Sequence, residues 1–249
     1  PLDRVLSENG VIKDLDDHRA LTEVSWIHRR DGNREIYLMV NRTDSTQNLH
    51  VKFRVTGKEP QLWHPEHGNS EEVSSQMNSD NTEVPLTLEP HETIYVVFDK
   101  ATQQATKVVD TYVRKDAVNI DGPWQLTFPA NWGAPTSPQQ VDKLASWTES
   151  TDEGIKYFSG TATYTKTIDV KKEVLKSGKL WLDLGSVGDI AVVTVNGGKP
   201  DTLWHTPYRT DVSGQLKSGK NTIKVEVTNE WTNRIAGDRL APAGKKILA

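Results

Sequence analysis

The sequence predicts an all-β chain built as two antiparallel β-sandwiches. Three observations carry this: apolar residues recur with period two, turn residues stand between those stretches, and sustained helical periodicity is nearly absent. In chain order, Ile36, Leu38 and Val40 share a face, as do Val51, Phe53 and Val55, then Val84, Leu86 and Leu88, then Ile94, Val96 and Phe98. Further on come Leu180, Leu182 and Leu184, then Ala191, Val193 and Val195, then Ile223, Val225 and Val227. Such alternation fits strands with one buried and one wetter face. Turns are signalled at Asp31-Gly32-Asn33, Glu89-Pro90-His91, Asn196-Gly197-Gly198 and Ser218-Gly219-Lys220-Asn221. Only Leu2–Asn9, Asp16–Thr22 and Lys171–Lys176 tolerate a helical reading, and Ser70–Asn81 is polar enough to read as a mobile loop.

The 249 residues leave room for one large or two ordinary domains. A boundary is expected near residue 110, where Thr93–Asp99 closes one set of strands and Ile120-Asp121-Gly122-Pro123-Trp124 opens another. Tryptophan follows the same division, with two of eight before residue 110. The expected organisation is residues 1–22 as the stub of an upstream domain, 23–108 as a first sandwich and 109–249 as a second. The start at Pro1 lacks a basic segment followed by an apolar one, so the chain reads as a piece of something longer.

Composition excludes several classes. Net charge is −4, which is not the basic balance of a general nucleic-acid or polybasic membrane binder. No apolar run approaches the roughly 18 residues of a membrane span. Without cysteine there is no disulfide, thiolate metal site or cysteine nucleophile.

Candidate chemistry is sparse. Glycosidic hydrolysis needs two carboxylates about 5–9.5 Å apart; Glu149, Asp152, Glu153, Glu226, Glu230 and Asp238 are available, but the same scatter marks any solvated sandwich surface. No Gly-x-Ser-x-Gly elbow exists, and His64-Pro65-Glu66-His67 is not the zinc-binding His-Glu-x-x-His pattern. Asn41-Arg42-Thr43 matches the glycosylation pattern, a short match that arises often by chance. Aromatic residues say more. Trp132, Trp147, Tyr157, Trp204, Tyr208 and Trp231 lie near strand ends or in loops, where rings either stack on the C–H faces of a sugar or plug the end of a core. Trp124 and Trp181 are assigned to core packing. Thr228-Asn229-Glu230-Trp231-Thr232-Asn233-Arg234 combines a ring with polar groups.

The stretch Gly154–Lys166, followed by Leu182-Asp183-Leu184-Gly185, Val195-Asn196-Gly197, Leu203-Trp204 and Pro207–Val212, resembles the jelly-roll sugar-binding domain of family 2 glycoside hydrolases. The ending Thr228–Asp238 is most similar to glycoside hydrolase family 106, the α-L-rhamnosidases. In the first sandwich, Ile27-His28-Arg29, Ile36–Arg42, Phe53–Lys58, Leu62-Trp63-His64-Pro65 and Pro85–Phe98 resemble the region after that family's barrel. The resemblance implies a jelly-roll (galactose-binding-like) second module. It also implies catalysis in an upstream (β/α)₈ barrel, which by itself takes about 250 residues and has no room here. The chain is then expected to be a non-catalytic C-terminal fragment that binds saccharide of plant or pectic type, braces the missing catalytic domain, or does both. Trp231 would stack, and Asn229, Asn233, Arg234 and Asp238 would hydrogen-bond, with Trp204, Tyr208 and Tyr157 as further sugar-binding candidates. The alternative is a purely structural interdomain module. The resemblance admits a structural calcium ion, for which no loop has a diagnostic spacing, and implies a periplasmic or secreted bacterial setting.

Overall fold

Side chains alternate along a strand, so each strand of a two-layer sandwich offers one parity to the core and the other to the outside. The computed structural model describes all residues except 1, 18–21, 67, 111–114, 116–117, 243 and 249, and the chain divides into two compact units, Pro1–Val113 and Arg114–Ala249.

The first unit opens with a short helix, α1 (Leu2–Glu8). Its strands are β1 (Leu15–Asp17), β2 (Val24–Asp31), β3 (Arg34–Asn41), β4 (Gln47–Phe53), β5 (Lys58–His64), β6 (Asn69–Glu72), β7 (Ser75–Met77), β8 (Thr82–Leu88), β9 (Thr93–Ala101) and β10 (Thr106–Lys107). One sheet runs β2-β3-β9-β5-β6 and the other β1-β4-β8-β7-β10, with antiparallel pairing throughout. The rings of Tyr37, Phe53 and Phe98 meet at the centre of its core, Tyr37 edge-on to Phe53 at 4.8 Å and Phe53 against Phe98 at 5.4 Å.

Several local expectations change. In β3 the core face is Glu35, Tyr37, Met39 and Asn41, so Ile36, Leu38 and Val40 point the other way. The two-residue turn Gly32-Asn33 sets Asp31 opposite Arg34, and that register puts Tyr37 inward; a one-residue slip would flip the whole strand. Asp16 and Asp17, read as the start of a helix, lie in β1, while residues 18–21 fall outside the described residues. Ser70–Asn81 contains parts of β6 and β7 rather than a loop alone. The segment read as an upstream stub contributes Leu15 to the first core and pairs Leu15–Asp17 with Phe53–Val51. Asn41 is buried, its amide donating to the carbonyls of Ser45 and Glu89 at 2.8 Å, so the glycosylation match is a structural bracket for the turn that follows.

Charge also ties this segment down. His28 Nδ1 lies 2.8 Å from Asp14 and its Nε2 lies 2.9 Å from Glu35, with the ring stacked on Tyr37 at 4.0 Å. Arg54 and Arg30 complete the pairs at 2.9 and 2.6 Å. Burial alone would raise both carboxyls, but the hydrogen bonds from Arg54 and His28 to Asp14, and from His28 and Arg30 to Glu35, hold them below their ordinary values.

The second unit contains β11 (Trp124–Thr127), β12 (Gln139–Val141), α2 (Glu153–Lys156), β13 (Thr161–Val170), β14 (Trp181–Asp183), β15 (Ile190–Val195), β16 (Asp201–Leu203), β17 (Arg209–Asp211), β18 (Gly219–Thr228) and α3 (Thr232–Leu240). A six-stranded sheet runs β12-β11-β13-β18-β15-β16 and a two-stranded one pairs β14 with β17, again all antiparallel. Of the helical expectation at Lys171–Lys176, a single 3₁₀ turn at Val174–Lys176 forms. Trp124 is buried as expected. Trp181 is not: Leu182 faces the core of β14, so its neighbour is turned outward and is 38% exposed.

Two tests follow from the first unit. Leu15→Ala is expected to lose about 2–4 kcal/mol in urea unfolding, the range for a buried leucine; a loss under about 0.5 kcal/mol would show that the leading segment is not integral. His64 lies 3.2 Å from Glu71 and 3.6 Å from Glu92, whose hydrogen bonds lift its pKa from 6.5 to about 9. The folded value exceeds the unfolded one, so this stabilisation is complete below pH 6.5, declines between 6.5 and about 9, and is gone above. Glu71 is largely exposed, which limits the effect to about 1 kcal/mol. His64→Gln should flatten this alkaline decline, and an NMR titration midpoint for His64 near 6.5 would contradict it.

Candidate functional site

The end of the second unit where β18 runs out is assembled from three loops and a helix. The helix α3 stands where the sequence reads as loop. Its sequence is a weak helix former, with Gly237 inside it, and its first turn has no side-chain cap. Tertiary bonds hold it instead. The Arg234 backbone N–H donates to the Ser159 hydroxyl at 2.9 Å, and within the helix Arg234 pairs with Asp238 one turn on, Nε to Oδ1 at 3.1 Å. Both side chains are buried.

Asp238 also gathers the end of the chain. Its Oδ1 accepts from the Ile247 N–H at 3.1 Å and its Oδ2 from the Leu248 N–H at 2.7 Å. Burial raises its carboxyl, but these two backbone donors and Arg234 outweigh it and hold the group below 3.8. Two glycines make the fit. A Cβ on Gly237 would lie 2.5 Å from Arg234 Nη2 and 2.6 Å from Tyr157 Cβ. One on Gly133, which has φ +87°, would lie 2.5 Å from the Ile247 side chain. Neither position accepts a side chain without moving what surrounds it.

On this base sit two tryptophans. Trp231, 48% exposed, immediately precedes α3, and Trp132 meets it at 5.4 Å with the ring planes tilted by 43°. Trp132 lies between Asn131 and Gly133, both with positive φ. Beside Trp231, the Glu230 N–H donates to Asp189 Oδ2 at 2.9 Å, and Asp189 is another non-glycine residue in the left-handed region. The backbone is thus set sharply on both sides of the ring pair.

The other expected site residues divide. Asn229 is consumed internally: its amide donates to the Phe158 carbonyl at 3.0 Å and its Oδ1 accepts from the Gly160 N–H at 2.9 Å. Tyr208 is buried, and its hydroxyl donates to the Asp189 carbonyl at 2.9 Å; burial, with the nearby Asp189 charge, raises its pKa. Tyr157 is half-buried against Gly237, with the Lys156 ammonium 5.7 Å from its ring. Trp147 fills the core edge, its ring against Phe128 and Phe158 and its N–H donating to Tyr164 at 2.6 Å. Trp204 is the most open ring, 62% exposed and edge-on to His205 at 4.6 Å. Asn233 is half-buried and takes part in no hydrogen bond among the described residues. Of the acidic candidates, Asp152 caps α2 and Glu226 pairs with Lys224 at 2.8 Å. Sequence reading missed Trp132 as the partner of Trp231, as well as Asp189 and the two glycines; the signal present was the Arg–Asp pair at helical spacing.

Known proteins supply the context. Residues 1–77 match the family model for alpha-L-rhamnosidase, and residues 147–244 match that for the glycosyl hydrolase 2 galactose-binding domain-like family. A protein of Formosa agariphila, provisionally named a beta-glucuronidase, is 37% identical over 214 residues, which is 82% of this chain and 18% of that protein. The solved rhamnosidase from Novosphingobium sp. PP1Y is 39% identical with a TM-score of 0.89, across 99% of this chain and 23% of that one. The chain therefore spans about a fifth of the length of these relatives, and the resemblance read from its motifs holds in both halves.

Arg234→Ala leaves Asp238 buried without its cation, and breaking a buried pair in this way is strongly destabilising. The variant is expected to unfold about 5–10 °C lower in calorimetry and to lose its last residues to carboxypeptidase faster. An unchanged melting temperature with an unchanged tail would contradict the lock.

Proposed function

We propose that this chain is an ancillary, non-catalytic part of a glycoside hydrolase of the α-L-rhamnosidase kind. In this reading the second unit holds saccharide weakly on the Trp132–Trp231 pair, and the sandwiches brace a catalytic domain lying elsewhere in the parent polypeptide. The observation that carries it is the ring pair of exposed Trp231 and half-buried Trp132, set beside left-handed residues and mounted on the Arg234–Asp238 lock. A pyranose offers an apolar C–H face to such rings while its hydroxyls seek polar partners. Asn233 and the exposed Glu230 carboxylate stand beside Trp231 for that purpose. Asn229, Arg234 and Asp238 are engaged in internal bonds, so their part is to position the platform rather than to touch sugar.

One open platform with few polar groups supports weak binding, with Kd about 1 mM, or roughly −4 kcal/mol. Calorimetric titration of the 249-residue chain with L-rhamnose, D-glucuronate and pectic oligosaccharides tests this. Trp231→Ala is expected to weaken the response at least about tenfold, and Trp204→Ala to leave it unchanged. No heat with any of these sugars, or equal heat from the Trp231 variant, would leave the purely structural reading. That reading draws on the same internal engagement of Asn229, Arg234 and Asp238.

A further inference from the structure

The first unit carries an apolar surface on the side of a sheet opposite its core. In β2-β3-β9-β5 the inward parity supplies Tyr37, Met39, Ile94, Val96 and Phe98. The outward parity is polar at its ends, with Ser25, Asp31, Arg34, Thr93 and Asp99, and apolar across its middle. Ile27 pairs with Leu38, Leu38 with Tyr95 and Tyr95 with Trp63, so four large apolar side chains form one row across four strands, about 14 Å wide. In the next row Ile36 lies against Val97, which its neighbours already bury, so the open apolar surface is the Ile27–Trp63 row with Ile36. Ile27 is 51% exposed, and Leu38, Tyr95, Trp63 and Ile36 are half-buried.

A strand apolar at both parities belongs to a sheet covered on both faces, whereas a sandwich sheet with one wet face alternates apolar with polar. In the second unit β13 and β18 meet that expectation: the outward parity of β13 is Thr161, Thr163, Thr165 and Thr167, beside the Lys224–Glu226 ion pair of β18, and apolar Ile190 and Val192 stand only on β15 next to them. Contiguous apolar surface on one sheet and not the other marks an interface. Arg29 lies on the same face as Ile27, opposite Ile36, its side chain exposed and making no hydrogen bond or ion pair among the described residues. Other cations nearby, Arg30 and Arg34, are paired with Glu35 and Asp99.

We infer that the outward face of β2-β3-β9-β5 is the docking surface for the remainder of the parent polypeptide, which contacts it with an apolar element bearing a carboxylate opposite Arg29. The length of the relatives argues for this occupant over a second copy: about four fifths of each lies outside the matched region. The inference rests on the chain being one part of a longer hydrolase, and not on the sugar platform.

The absence of cysteine from the chain makes the test direct. Ile27→Cys, and Lys199→Cys as an exposed loop reference, are placed both in the 249-residue chain and in the longer natural polypeptide, and maleimide labelling is followed by peptide mass spectrometry. The thiol introduced by Ile27→Cys is expected to label at least about tenfold slower in the longer polypeptide, with the reference little changed. Arg29→Glu in the longer form is expected to restore several-fold of that loss. Equal labelling of the Ile27→Cys variant in both forms, or equal slowing at both positions, would overturn the assignment while leaving the hydrolase reading intact. Concentration-dependent protection of the same thiol in the isolated chain, with a dimer in sedimentation, would transfer the face to a second copy. A natural polypeptide no longer than this chain would overturn the assignment together with its premise.

Discussion

The buried pair of Arg234 and Asp238 is the constraint on which the end of the second unit depends. Taking a guanidinium and a carboxylate out of water is unfavourable unless their remaining hydrogen-bonding capacity is met. Here the carboxylate meets it with the backbone N–H groups of Ile247 and Leu248. The pair therefore does more than join two side chains one helical turn apart. It fixes α3, fastens the tail, and leaves space that only glycine fits at 133 and 237. The Ile247 and Leu248 N–H donors and Arg234 hold the Asp238 carboxyl below its ordinary value, so its contribution is complete above pH 3.8 and is lost only as pH falls through the lowered folded value.

That architecture separates two jobs which a motif reading merges. Along 228–238 one tryptophan stands among polar residues, as it would where a sugar binds, yet three of those polar residues turn inward. Asn229 closes the turn at 158–160, Arg234 and Asp238 lock the helix, and Glu230, Thr232 and Asn233 stay available near Trp231. Rigidity beneath the rings has a thermodynamic use, since a platform already set in place loses little entropy on binding.

The strands were legible because alternation survives in a single sequence wherever one parity is apolar. It failed where both parities are: Ile36, Leu38 and Val40 compete with Tyr37 and Met39, and only the turn register at Gly32-Asn33 decides between them. The exposure of Trp181 was legible in retrospect, because Leu180 and Leu182 claim the core face around it. β1 is three residues long, too short for a period to show. α3 was hidden for a different reason. Its stability comes from Ser159, Tyr157 and the tail rather than from its own propensity, so only the Arg–Asp spacing betrayed it. The Trp132–Trp231 meeting joins residues about a hundred positions apart, beyond the reach of any local pattern.

The two units solve the same packing problem with opposite outer surfaces, and the difference is informative. Each needs one apolar parity to fill a sandwich core. On β13 and β18 the second spends its other parity on threonine and a Lys–Glu pair, chemistry that gains nothing from leaving water. The first repeats apolar residues on both parities of β3 and continues the outer row onto β2, β9 and β5. Stability of the isolated unit does not call for this, because the core is complete without it; solubility disfavours it. Residues that serve neither end are explained by a covering surface outside the unit, which makes the inverted face of β3 the point where this chain's sequence speaks about a neighbour rather than about itself.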